Sequence, residues 1–135
     1  MNDLRTERLL AGYLVVQALV GVAWWAAMAW APAVRELFEL DELQPAVLDS
    51  LVFADTVVII VGGALAAWAL ERGAGRAVPL TAAVAGGLAY VTLYLIGWVT
   101  FTGDGALCAG VMVPPTLLSS WVAWQTYRLH HPLSP

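Results

Sequence analysis

The chain has 135 residues, of which 61% are hydrophobic and only 12% charged, a composition outside that of soluble globular domains. Its net charge of −4 excludes nucleic-acid binding, which needs a basic footprint. Cys108 is the only cysteine, which excludes an internal disulfide, a CxxC redox pair and a cysteine-rich metal site.

The apolar residues fall into four long blocks with no strand-like alternation. The expected fold is an all-α membrane protein of one domain. Four transmembrane helices form an up-down-up-down bundle, with a short amphipathic helix between the first and second.

The first span covers about residues 9–30. Arg5 and Arg8 precede it, as in a signal peptide. The run is longer than the roughly 7–15 residues of a signal core, and it carries Trp24, Trp25 and Trp30. It reads as a retained span. Pro32 stops it. Residues 33–44, AVRELFELDELQ, place Val34, Leu37 and Phe38 at helical spacing among charged residues. That pattern predicts a surface-lying amphipathic helix. Pro45 suits the first turn of the next helix.

The second span is about residues 47–70. Residues 71–77, ERGAGRA, are a tight polar turn. The third span is about residues 79–101, and Thr102-Gly103-Asp104-Gly105 is another tight turn. The fourth span is about residues 106–127 and contains Pro114-Pro115, where a kink is expected because proline lacks the N–H and its ring crowds the preceding turn. His130 and His131 are neighbours in the tail. Two adjacent histidines are not a metal site, and nothing in the sequence calls for a metal or another cofactor.

Arginine placement sets the orientation. With alternating spans, Arg5, Arg8, Arg72, Arg76 and Arg128 share one side, and only Arg35 is on the other. By the positive-inside rule both termini are cytoplasmic, and a plasma-membrane location is expected.

Asp55 is the only charged residue between positions 51 and 70. An ionisable side chain inside a span is costly and by default raises a functional hypothesis. Helical spacing groups Tyr13, Gln17, Gly21, Trp24 and Met28 on one face of span one. It groups Asp55 with Val58, Ile59, Gly62 and Ala66 in span two. In span three, Gly86, Tyr90, Tyr94 and Gly97 form a stripe. In span four, Thr116 and Ser120 align, with Ser119 beside them. Asp55 lies about one turn below the outer surface, at the level of Trp24, Tyr94 and Trp98. A carboxylate among aromatic faces suits a cation or an amphipathic molecule. The candidate ligand-binding residues are therefore Asp55, Trp24, Tyr94, Trp98, Gln17 and Tyr90. Plainer roles compete: an interfacial aromatic belt for the tryptophans, interhelical hydrogen bonding for Gln17, and a structural hydrogen bond from Asp55 to Tyr94.

No HExxH, GxSxG or phosphate-loop pattern is present, and no catalytic residue is assigned. The sequence favours a non-catalytic role. The chain is either an accessory subunit packed against a membrane-protein partner, with a homodimer also open, or a binder of a lipid or hydrophobic small molecule. A small proton-coupled transporter using Asp55 is the alternative. An intramembrane enzyme, for which Asp55 and Asp104 are the only candidate pair, comes after it.

Overall fold

In lipid no water is available to backbone N–H and C=O groups, so a long apolar run satisfies them only by closing on itself as a helix. The structure, a computed structural model, describes residues 2–38 and 45–131. The helices are α1 (Asn2–Trp30), α2 (Pro32–Phe38), α3 (Pro45–Asp55), a π-helical turn (Thr56–Val61), α4 (Gly62–Glu71), α5 (Ala77–Thr102) and α6 (Ala106–His130). The segment α3–π–α4 is one continuous span. Four stretches are long and apolar enough to cross a membrane: Leu4–Trp30, Ser50–Glu71, Ala77–Thr102 and Ala106–His130. The chain is a small multi-pass membrane protein with an up-down-up-down bundle of four helices.

The turns follow local chemistry. Gly103 adopts φ 79° after α5 and its N–H bonds to Val99 O, a left-handed closure that favours glycine. Asp104 Oδ1 then accepts the Gly105 N–H at 2.6 Å. This tight turn makes α5 and α6 antiparallel neighbours, and they share the most extensive packing in the molecule.

At the other corner Pro32 opens α2, whose first turn bonds to Ala31 O. The amphipathic helix expected over residues 33–44 is seen over its first half, and residues 39–44 lie outside the described part. Val34 and Phe38 are half-buried, while Leu37 is exposed. The helix is thus rotated toward the Val34–Phe38 line, and Leu37 leaves the inward group.

The packed core occupies the half of the bundle nearest the basic turn at residues 72–76. Leu10 and Leu14 of α1 meet Ala66 and Leu70 of α4, Val84 of α5 and Val122 of α6. Small residues let these backbones approach. A Cβ at Gly63 would sit 3.6 Å from Leu14 O and 3.8 Å from Ala18 Cβ. At this end the Arg72 and Arg76 guanidiniums lie 4.6 and 4.2 Å from the Trp68 ring centroid, cation–π contacts suited to a membrane interface.

The π turn changes the register that simple periodicity predicts. Gly62 N–H reaches back to Val57 O, five residues earlier, which inserts one extra residue into the span. The face running Asp55–Val58–Ile59–Gly62–Ala66 is therefore broken. Val58 turns to Gly87 of α5, and the buried face of α4 is Gly63, Ala66, Ala67, Ala69 and Leu70.

Two other inward faces also differ from the expected ones. On α5 the buried stripe is Thr81, Val84, Ala85, Leu88, Thr92 and Leu95, and the glycine–tyrosine stripe lies to one side of it. On α6 Ser119 is buried, while Ser120 is exposed and bonds back to Thr116 O. The α6 helix continues through Pro114 and Pro115.

Gly87 and its neighbour Gly86 separate a packing requirement from a general preference. A Cβ at Gly87 would overlap Val58 Cγ1, whereas one at Gly86 meets nothing within 4 Å. Valine in a helix has one strongly preferred rotamer, so Val58 cannot readily move aside. Gly87→Ala should destabilise the protein by about 1–3 kcal/mol. Gly86→Ala should leave stability unchanged or raise it by up to about 1 kcal/mol. Thermal melting of the two variants in detergent decides, and equal behaviour would refute the facing of Val58 and Gly87.

Candidate functional site

Beyond the core, the bundle changes character at a layer of polar side chains. Tyr13 of α1 donates its hydroxyl to Pro115 O at 3.2 Å and lies 3.1 Å from Ser119 Oγ. Ser119 Oγ donates to Gln17 Oε1 at 2.8 Å. This group joins α1 to α6. Beside it, the Thr92 and Thr116 hydroxyls are 2.7 Å apart, so one donates to the other, and the accepting hydroxyl gives its own proton to a backbone carbonyl, Met112 O at 3.4 Å from Thr92 or Leu88 O at 3.3 Å from Thr116. This pair joins α5 to α6. Gln17 is only 9% exposed, and its Nε2 has no partner among the described residues. A buried donor left in that state costs about 1–3 kcal/mol.

Above this floor the helices separate and enclose a cavity of about 580 Å³, within the range of small-molecule sites. All four spans supply its wall. Val16 and Val20 come from α1, Ile59 and Ile60 from the π turn, Val91 from α5 and Val111 from α6. The side toward the bilayer is partly open, since Val16, Val20, Val111 and Leu118 line the cavity and are also exposed.

Two features close the end away from the polar floor. Asp55 is part of the wall, and Trp25 Nε1 donates to its Oδ2 at 3.1 Å. No cation pairs with Asp55 among the described residues. Phe38, the last described residue of α2, lies edge-on to Trp24 with centroids 4.5 Å apart. Its carbonyl accepts from Cys108 Sγ at 3.6 Å, so α2 forms a roof spanning α1 and α6.

Five of the six candidate residues reach this cavity: Asp55, Trp24, Tyr94, Gln17 and Tyr90 all line it. Tyr90 is 74% exposed and Tyr94 46% exposed, so they form its mouth rather than its depth. Trp98 is not brought to the wall. It packs against Leu95 and Ala109 between α5 and α6, one turn beyond Tyr94, with ring centroids 6.5 Å apart.

Sequence reasoning misses three contributors. Trp25, and not Tyr94, is the hydrogen-bond partner of Asp55. Tyr13 is on the expected inward face but outside the candidate set. Phe38 is expected on a surface helix, with no part in the site. Adjacent tryptophans differ by about 100° around a helix, and composition alone does not say which one faces the acid.

No protein-family profile, curated protein or solved structure matches the chain. The chemistry of the site therefore stands on its geometry. An apolar volume carries one carboxylate held by an indole near its roof and one amide at its floor. The amide is bonded to the Ser119 hydroxyl, and no second carboxylate lines the cavity among the residues described. Such a site can hold and orient a molecule.

The Trp25–Asp55 bond should appear as an energetic coupling. In a double-mutant cycle of Trp25→Phe with Asp55→Leu, followed by melting in detergent, the two effects should fall short of additivity by about 0.5–2 kcal/mol. Trp24→Phe combined with Asp55→Leu should add to within about 0.5 kcal/mol, because Trp24 packs on Phe38 instead. A cycle that couples Trp24 as strongly as Trp25 would contradict the assignment.

Proposed function

We propose that this protein is a non-catalytic binder of an amphipathic, hydrophobic small molecule or lipid, held in the cavity between the four spans with a cationic or hydrogen-donating group against Asp55. The observation that carries this reading is a single carboxylate set in the wall of an otherwise apolar cavity of about 580 Å³. A charge in such surroundings is costly unless it is paired. The Trp25 indole supplies one neutral hydrogen bond and no countercharge. A ligand bearing a cation, with an apolar body against Ile59, Ile60 and Val91, completes the site.

The same reading places the protein in the plasma membrane with both termini cytoplasmic and the cavity in the outer half. The five arginines at one end of the bundle, with only Arg35 at the other, support that orientation. Single cysteines introduced on a Cys108→Ser background test it. Gly75→Cys should be labelled by an impermeant reagent only after the membrane is opened, and Thr102→Cys in intact cells. The reverse pattern would overturn the orientation.

Binding is tested on the purified chain. Dodecylamine should raise the melting temperature of the wild type. Asp55→Asn should weaken the effect about tenfold, which corresponds to about 1.4 kcal/mol. A ligand that binds only the folded state raises stability as its concentration exceeds Kd. No shift with dodecylamine would reject the binding role. A chain that unfolds when purified alone would instead favour the accessory-subunit role.

A further inference from the structure

The end of the bundle opposite the cavity carries a feature that the binding role does not use. Arg72 follows α4 and Arg76 precedes α5, and both side chains converge on one indole. Their guanidinium carbons lie 4.6 and 4.2 Å from the Trp68 ring centroid. The two carbons are therefore no more than about 9 Å apart, inside the screening length of ordinary salt. Two like charges held this close repel unless an anion lies near both. No carboxylate fills that role, because Glu71 is exposed and pairs with neither arginine among the described residues. Stacking occupies only the flat faces of the guanidiniums and leaves their N–H edges open. Those edges are the available donors at this turn. The Ala77 and Val78 N–H groups already bond to Ala74 O and Gly75 O at 2.8 and 3.4 Å. Residue 79 is a proline, so the first turn of α5 adds no donor.

An apolar track leads from the arginine pair toward the middle of the bilayer. Counting back from Arg72 by helical steps, Trp68, Leu65 and Val61 share one side of the span, and all three are exposed. Indole rings favour the headgroup level of a membrane. We propose that this corner binds an anionic phospholipid from the leaflet at this end. Arg72 and Arg76 bridge its phosphodiester, and one acyl chain lies along Trp68, Leu65 and Val61. The guanidinium fork matches phosphate oxygens two at a time, which a lysine ammonium does not. A zwitterionic lipid offers the same phosphate but brings its own cation to compete for it. The corner therefore selects for net negative charge in the headgroup. The site is independent of the cavity at the other end.

The test is native mass spectrometry of the purified full chain, with bound lipid counted against lipid concentration. The probes are dioleoylphosphatidylglycerol and dioleoylphosphatidylcholine, which share tails and a phosphodiester and differ in net charge. The first phosphatidylglycerol should bind wild type about tenfold more tightly than the first phosphatidylcholine. Arg72→Gln with Arg76→Gln should remove that preference. Arg72→Lys with Arg76→Lys keeps the charge but loses the stacked fork, and should also lose most of it. Arg5→Gln with Arg8→Gln removes equal charge from the same end and should keep it. Inorganic phosphate in large excess should leave the lipid bound, since it has no chain to lie along Leu65 and Val61. Equal binding of the two lipids to wild type would overturn the proposal. So would a lysine pair that binds as wild type does, or an Arg5 and Arg8 pair whose replacement costs as much as that of Arg72 and Arg76. Displacement by inorganic phosphate would make the corner a site for a free anion and overturn the lipid assignment.

Discussion

The first and last spans, α1 and α6, are joined by no turn, and they meet only over a short stretch. What closes the ring is a polar clasp: Tyr13 and Gln17 on one side, Ser119 and the Pro115 carbonyl on the other. Apolar faces gain nothing by leaving lipid for one another, so such a seam must be held by hydrogen bonds and close packing. The clasp meets that need at one depth only. On one side of it the alanine-rich core closes the bundle, and on the other the helices part. The depth of Tyr13 and Ser119 therefore fixes the floor of the cavity.

The π turn couples that core to the cavity wall. Gly63 must face α1 for the backbones to approach at Leu14 and Ala18. In an unbroken α-helix that orientation would leave Asp55 about 100° away from its present direction. The extra residue in the turn Thr56–Val61 absorbs the difference. It lets the glycine-rich half of the span pack tightly while Asp55 still meets Trp25. Both Ile59 and Ile60 of this turn line the cavity. A π turn is a costly irregularity that tends to occur at functional sites, and in this span it serves two packing demands that a regular helix satisfies only one at a time.

Much of this architecture is legible in the sequence because hydropathy, turn glycines and arginine placement each act locally. Four spans, their alternation and the isolation of Asp55 follow from them. The inward faces are less legible for a physical reason. In a soluble protein the outward face of a helix is polar and so identifies the inward one. In lipid both faces are apolar and that contrast disappears. The glycine–tyrosine stripe of α5 looks like a packing face, yet α5 buries Thr81, Leu88, Thr92 and Leu95. Trp98 shares the level of the site but packs between α5 and α6. The partner of Asp55 depends on the π turn, which carries no signature in the run TVVIIV. Gln17 is legible as a polar residue on the inward face, but its unused nitrogen becomes visible only once Ser119 is seen to occupy the other end of the amide.

Connection length explains why the two halves of the bundle differ. The turn Gly103–Gly105 draws α5 and α6 together at one end, and the basic turn at residues 72–76 does the same for α4 and α5 at the other. The connection between α1 and the second span is longer and contains a helix of its own, α2. It allows α3 to stand away from its neighbours at the end of the Gly103–Gly105 turn, where a two-residue connection would have drawn it in. The space so created is bounded rather than sealed: Phe38 and Trp24 cover the top, Asp55 is held by Trp25 on one side, and exposed valines line the gap between α1 and α6. A carboxylate could not remain in a collapsed apolar seam without a countercharge. The same length of chain that forms the roof thus keeps Asp55 where a polar or cationic group can reach it.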